Sequence, residues 1–165
     1  MKRFFRLILF AAGLAGIIHS LNLISYHLLK YHVLKRQKWD LNICCGKTDG
    51  GGINADIIRH KKVPNLVIVD IYRLPFKAGQ YRHVLCSHTI EHVSRPRDLY
   101  MELKRVGHQV TLLVPPIWDL SAAFNILEHK WIYWSPFTEH VQLPNFSRLP
   151  LSSFVQNVFG QRIKG

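Results

Sequence analysis

The chain has 165 residues, 48% hydrophobic and 19% charged, which is enough apolar side chain for one packed domain and too little charge for a disordered polyelectrolyte. Twenty-two Lys and Arg against ten Asp and Glu leave a formal charge of +12, so the expected partner carries anionic groups. Three cysteines, Cys44, Cys45 and Cys86, exclude a dense disulfide framework and favour a reducing compartment.

Residues 1–38 hold seven basic side chains and no acidic one, while the other 127 residues carry 15 basic and 10 acidic. Charge concentrated in a hydrophobic arm favours an anionic membrane surface over nucleic acid, although +12 keeps RNA open. Leu7 to Ile18 is a run of twelve residues without a polar side chain. As a helix it rises about 18 Å, too little to span a bilayer alone. Extension to Leu29 reaches spanning length but takes in His19, Ser20, Asn22, Ser25 and His27. A cleaved signal peptide is disfavoured because no A-x-A-like site follows, and a helix packed on the domain or on a second copy is the plain alternative. The favoured reading is a membrane anchor over 1–38, spanning or interfacial, followed by a domain over 39–165.

From Trp39 the pattern becomes short apolar runs between turn residues. Strands are expected at Trp39 to Cys44, Ile53 to Ile57, Asn65 to Ile71, His83 to His88 and Gln109 to Pro116. Thr48 to Gly52, with three consecutive glycines, is expected as a loop. A helix capped by Ser94, with Pro96 in its first turn, runs to Gly107 and puts Leu99, Leu103 and Val106 on one face. Strands that are apolar throughout predict an α/β fold, a Rossmann-like, mostly parallel sheet with helices on both faces. An aromatic cluster (Trp118, Phe124, Trp131, Tyr133, Trp134, Phe137) reads chiefly as a cap on the core. No sixth or seventh strand is readable after Trp134.

In such a sheet ligands bind at the carboxyl ends of the strands. Here those ends present Cys44-Cys45-Gly46, then Asp56, then Asp70, the order glycine turn, acid, acid of a nucleoside site. The segments LNICCGK, INADI, VIVDIYRLPF and VLCSHTIEHV, in that order, resemble the class I S-adenosylmethionine-dependent methyltransferases, and within them proteins with a type 11 methyltransferase domain. The resemblance runs from about Leu41 to Pro116. It implies S-adenosylmethionine as cofactor, with Cys44, Cys45 and Gly46 beside its methionine part, Asp56 on the ribose, Asp70 and Leu74 bordering the adenine, and Ser87 and His88 facing the methyl group. His88 is the candidate base, since histidine is the side chain most often used as a general base.

The chain departs from the family at the first glycine of its turn, here Cys44, in the short interval from Gly46 to Asp56, and at Arg82, where an Asp is usual. These departures motivate the alternative of a non-catalytic binding or scaffold protein. A further rival is a zinc-dependent hydrolase using His88-x-x-Glu91-His92, with Glu102, Glu128 or Glu139 as third ligand. The preferred expectation has no metal. It is methyl transfer to an unidentified, membrane-proximal acceptor on the cytoplasmic face, with nucleic acid not favoured and a homo-oligomer open.

Overall fold

The structure, a computed structural model, describes residues 2–161. One continuous helix opens the chain: α1 (Lys2–Asn22), a π-helical stretch (Leu23–Leu29) and α2 (Lys30–Arg36). Then follow β1 (Trp39–Ile43), β2 (Gly51–Asp56), β3 (Leu66–Ile68), β4 (Tyr81–Ser87), α3 (Pro96–Val106), β5 (Gly107–Leu113), α4 (Leu120–Ala123), β6 (Trp131–Tyr133), β7 (Glu139–His140), β8 (Phe146–Arg148) and α5 (Ser152–Phe159). Six strands form one sheet in the order β3-β2-β1-β4-β5-β7. All neighbours in it are parallel except β7, which runs antiparallel to β5. A short antiparallel pair, β6 with β8, stands apart.

Alternation along each strand sends successive side chains to opposite faces. Val84 and Cys86 of β4 and Val110 and Leu112 of β5 pack with Leu99, Leu103 and Val106 of α3. Leu85 and Leu113 instead meet Val33 of α2 and Trp39. The sheet is therefore covered on both faces, but the second cover comes from the N-terminal helix rather than from a crossover. Among the connections between parallel strands only that from β4 to β5 contains a helix; residues 44–50 between β1 and β2 are a loop. Buried asparagines hold that loop. Asn42 Nδ2 donates to Thr48 O and to Asn54 Oδ1, each at 3.1 Å, and Asn54 Nδ2 donates to Asp49 Oδ1 at 2.9 Å.

Three local expectations are corrected. Gly51 and Gly52 belong to β2 rather than to a loop. A Cβ on Gly52 would lie 2.4 Å from Trp39 O and 2.6 Å from Asp40 O, so glycine there permits close approach of the β1 and β2 backbones. Ser94 does not cap α3: the cap position is Arg95, with no side-chain bond, and Ser94 Oγ accepts from Lys130 Nζ at 3.0 Å. The aromatic cluster divides, since Tyr133 is buried and Trp131 half-buried in the core, whereas Trp134 and Phe137 are more than half exposed.

The arm also divides. α1 buries no residue, and the helix from Lys2 to Arg36 is long and apolar enough to cross a membrane. Its second half is docked. Asn22 Nδ2 and Ser25 Oγ both donate to the fully buried carboxylate of Asp119, which also accepts from Ser121 Oγ and from Ala122 N as the N-cap of α4. Arg36 forms a two-pronged ion pair with Glu139, its nitrogens 2.6 and 2.9 Å from the carboxylate oxygens.

Candidate active-site cleft

A cleft of about 570 Å³ opens at the carboxyl ends of β1, β2 and β4. Cys44, Cys45, Gly46, Asp56, Ser87 and His88 line it, so six of the eight side chains singled out in the sequence come together. Asp70 and Leu74 do not. β3 ends at Ile68, leaving Asp70 exposed in a turn where its Oδ1 accepts from Tyr72 N at 2.9 Å. Leu74 is buried in the main core, and Ile71 reaches the cleft instead.

The turn after β1 keeps a glycine-like backbone without a glycine. Cys44 has φ of 51°, in the left-handed region that side chains other than glycine occupy at a cost of about 1–2 kcal/mol. His88, at the end of the adjacent strand, has φ of 49°. Two strained non-glycine residues thus flank one cleft, the usual location of such strain. Burial pushes the Cys44 thiol well above its ordinary pKa, with the nearby Cys86 and Asp56 adding to the effect. Burial likewise raises Cys45 and Cys86 to about 12, helped chiefly by Asp56 and Glu91 respectively. None of these thiols is poised as a nucleophile.

Asp56 ties the second strand to this turn. Its Oδ2 accepts from Gly46 N at 2.8 Å, and its Oδ1 accepts from Ile57 N at 2.7 Å and Ile58 N at 3.3 Å. His60 Nε2 stands 3.3 Å from Oδ2. The carboxylate that the resemblance gives to a ribose is therefore occupied by its own loop and screened by His60.

Ser87 Oγ and His88 Nε2 are buried without a hydrogen-bond partner. Their opposite wall belongs to the N-terminal helix. Tyr26 packs on the His88 ring with centroids 4.9 Å apart, and Lys30 lies over Tyr26 at 4.5 Å. Both line the cleft. Sequence reasoning left them in the anchor, because the contact joins positions more than sixty residues apart.

Behind His88 lies a buried polar cluster. Glu91 is 1% exposed, with His88 Nδ1 3.4 Å from its Oε1. Burial opposes ionisation of Glu91, yet His88, His92 and His129 together hold its carboxyl down at about 2. Burial drives His129 to about 4, so its imidazole is neutral near pH 7, even though the charge of Glu91 works the other way. The zinc-hydrolase arrangement is not formed. Residues 88–95 are turns and bends after β4, with no helix to put His88 and His92 on one face. The residue brought against Glu91 and His92 is His129 rather than Glu102, Glu128 or Glu139.

Residues 51–113 match the family model of a methyltransferase domain. No curated protein matches the chain. Among solved structures, a SAM-dependent methyltransferase from Thermotoga maritima is 18% identical, covering 69% of this chain and 60% of its own, with a TM-score of 0.42. A SAM-dependent methyltransferase from Aquifex aeolicus is 15% identical over 67% of this chain and 82% of its own, with a TM-score of 0.40. A complex of a methyltransferase activator with a methyltransferase from Haloferax volcanii gives 16%, 62%, 57% and 0.39. The chain spans less than two thirds of the Thermotoga and Haloferax proteins. The β3-β2-β1-β4-β5 order with its antiparallel β7 edge is a mostly parallel α/β sheet, and residues 51–113 within it are the part that matches the methyltransferase family model. S-adenosylmethionine is the cofactor that goes with a methyltransferase domain of the matched kind.

Proposed function

We propose that the chain transfers a methyl group from S-adenosylmethionine to an acceptor presented at the cytoplasmic face of a membrane. The observation that carries this reading is the cleft itself: a glycine-like turn after β1, the Asp56 carboxylate after β2, and unpartnered Ser87 Oγ and His88 Nε2 at the end of β4, around one cavity of about 570 Å³.

The residues fit the cofactor. Unpartnered buried polar atoms are rare unless a ligand or water satisfies them, and three of the residues lining the cavity carry one: His60 Nε2, Ser87 Oγ and His88 Nε2. The backbone of Cys44, Cys45 and Gly46 would border the methionine part, and Asp56 would take the ribose once the His60 ring turns aside. The sulfonium supplies an already activated methyl group, so the protein's contribution is placement. His88 Nε2 is the atom available to take a proton from an acceptor hydroxyl or amine. Tyr26 fixes the imidazole by packing on it.

Membrane proximity is supported by the unburied, apolar α1 with Lys2, Arg3 and Arg6 at its start. Exposed Leu120 and Phe124 lie in and just beyond α4, where that helix meets the arm. Calorimetry with S-adenosylhomocysteine on the detergent-solubilised full chain tests the cofactor reading. Absence of binding at millimolar ligand would leave the chain as a binding or scaffold protein. Flotation with vesicles containing anionic lipid tests the membrane. The full chain should float, and a chain lacking residues 2–19 should not; equal flotation of both removes α1 as the anchor.

A further inference from the structure

We propose that Glu91, His92 and His129 form a site for a divalent first-row transition ion, zinc by ligand preference, at the base of the cleft. This stands apart from the methyl-transfer reading. It gives Glu91 the role of ligand and brings in a histidine 37 positions beyond His92, so it is a different site from a helical H-x-x-E-H motif.

Each residue offers a ligand atom, and these atoms lie within 4.8 Å of one another, all in buried side chains. A tetrahedral ion bound at about 2.1 Å needs ligand atoms about 3.4 Å apart, so loading it would draw the three side chains closer together. Two imidazoles and one carboxylate are an established zinc donor set that leaves a fourth position open. Both oxygens of Glu91 and Nδ1 of His129 are buried without a hydrogen-bond partner. An ion bound there would give the Glu91 oxygens and His129 Nδ1 the partners they lack.

The surroundings are those of ligands already aimed. His92 Nδ1 lies 3.0 Å from Glu128 O, so a proton donated there leaves Nε2 as the free lone pair. His129 is held by the backbone of Ala122, leaving Nδ1 over. The two rings meet edge to face at 4.7 Å. Their backbones are fastened together: Lys130 N and Trp131 N both donate to Glu91 O, at 2.8 and 3.2 Å. Gln161 Nε2 donates to both His92 O and Glu128 O. His88, at 3.4 Å from Glu91 Oε1, is placed to orient the carboxylate rather than to ligate. Because His92 also lines the cleft, the ion borders the space in which an acceptor would sit.

The test is metal analysis of the full chain in detergent, after incubation with excess zinc and removal of free ion, with no cofactor present. One zinc per chain is expected, falling at least tenfold in Glu91→Gln and in His129→Ala and retained in His88→Ala. Cobalt loaded into the wild-type chain should give visible ligand-field bands that zinc abolishes, a readout that does not depend on how the variants fold. Less than a tenth of an ion per chain in the wild type overturns the proposal. So does full retention in a folded His129→Ala variant, or cobalt without those bands. Failure of S-adenosylhomocysteine to bind, with zinc present, would sink the methyl-transfer reading and leave this one intact.

Discussion

Replacing Asp119 by Ala should release the N-terminal helix from the domain. The carboxylate is fully buried, caps α4 through Ala122 N at 3.2 Å, and accepts from Asn22 Nδ2 at 3.1 Å and from Ser25 Oγ. Loss of an N-cap costs about 1 kcal/mol. Each hydrogen bond to a charged acceptor is worth about 1.5 kcal/mol or more, and Ser25, 1% exposed, is left with a buried hydroxyl that has lost its acceptor. Relief from dehydrating a carboxylate offsets part of this, giving a net loss of about 3 kcal/mol. For a chain of this size that lowers Tm by about 6–12 °C. Scanning calorimetry of the full chain in nonionic detergent measures it, and a double-mutant cycle with Ser25→Ala should show coupling of about 1 kcal/mol or more. Strictly additive losses, or a total below about 1 kcal/mol, would show that Asp119 does not fasten the helix.

Other perturbations test the remaining links. Asp56→Ala should weaken S-adenosylhomocysteine binding by about 1.5–3 kcal/mol, whereas His60→Ala, which clears the same carboxylate, should bind as tightly or tighter by calorimetry; a weaker His60→Ala complex would contradict its screening role. Cys44→Gly removes a left-handed side chain, so the gain of about 1 kcal/mol from strain should roughly cancel the lost thiol packing and leave Tm within a few degrees; a large fall would show that the thiol, rather than the backbone, shapes the turn. With folded pKa values raised to about 12 from an unfolded 9.0, the Cys45 and Cys86 thiols contribute stability that is complete below pH 9 and lost as pH rises toward 12. Denaturation midpoints should fall over that interval, at up to about 1.4 kcal/mol per thiol per pH unit, and Cys86→Ala should flatten the slope.

The central strands β4 and β5 were legible because both carry apolar residues toward each face of the sheet, and β1 by its alternating Trp39, Leu41 and Ile43. The start of β2 was hidden, since two glycines read as a loop unless the backbone they let in is known. Asp70 looked like a strand-end acid, but β3 stops two residues earlier and the side chain turns to solvent. The cleft residues of β1, β2 and β4 are brought together by register alone: Ile43 pairs with both Ala55 and Cys86, which puts the three strand ends level. Tyr26, Lys30 and His129 carried no local signal. Their places depend on contacts across the whole chain, such as Ser25 with Asp119, 94 positions away.

Since Tyr26 and Lys30 lie on the helix that continues from α1, the exposed apolar stem and one wall of the pocket belong to a single element. Under the membrane anchoring proposed above, a change in the tilt of that helix would move one wall of the pocket about the contact with Asp119. Bilayer thickness would reach the reaction as leverage, with no ligand needed to carry the message.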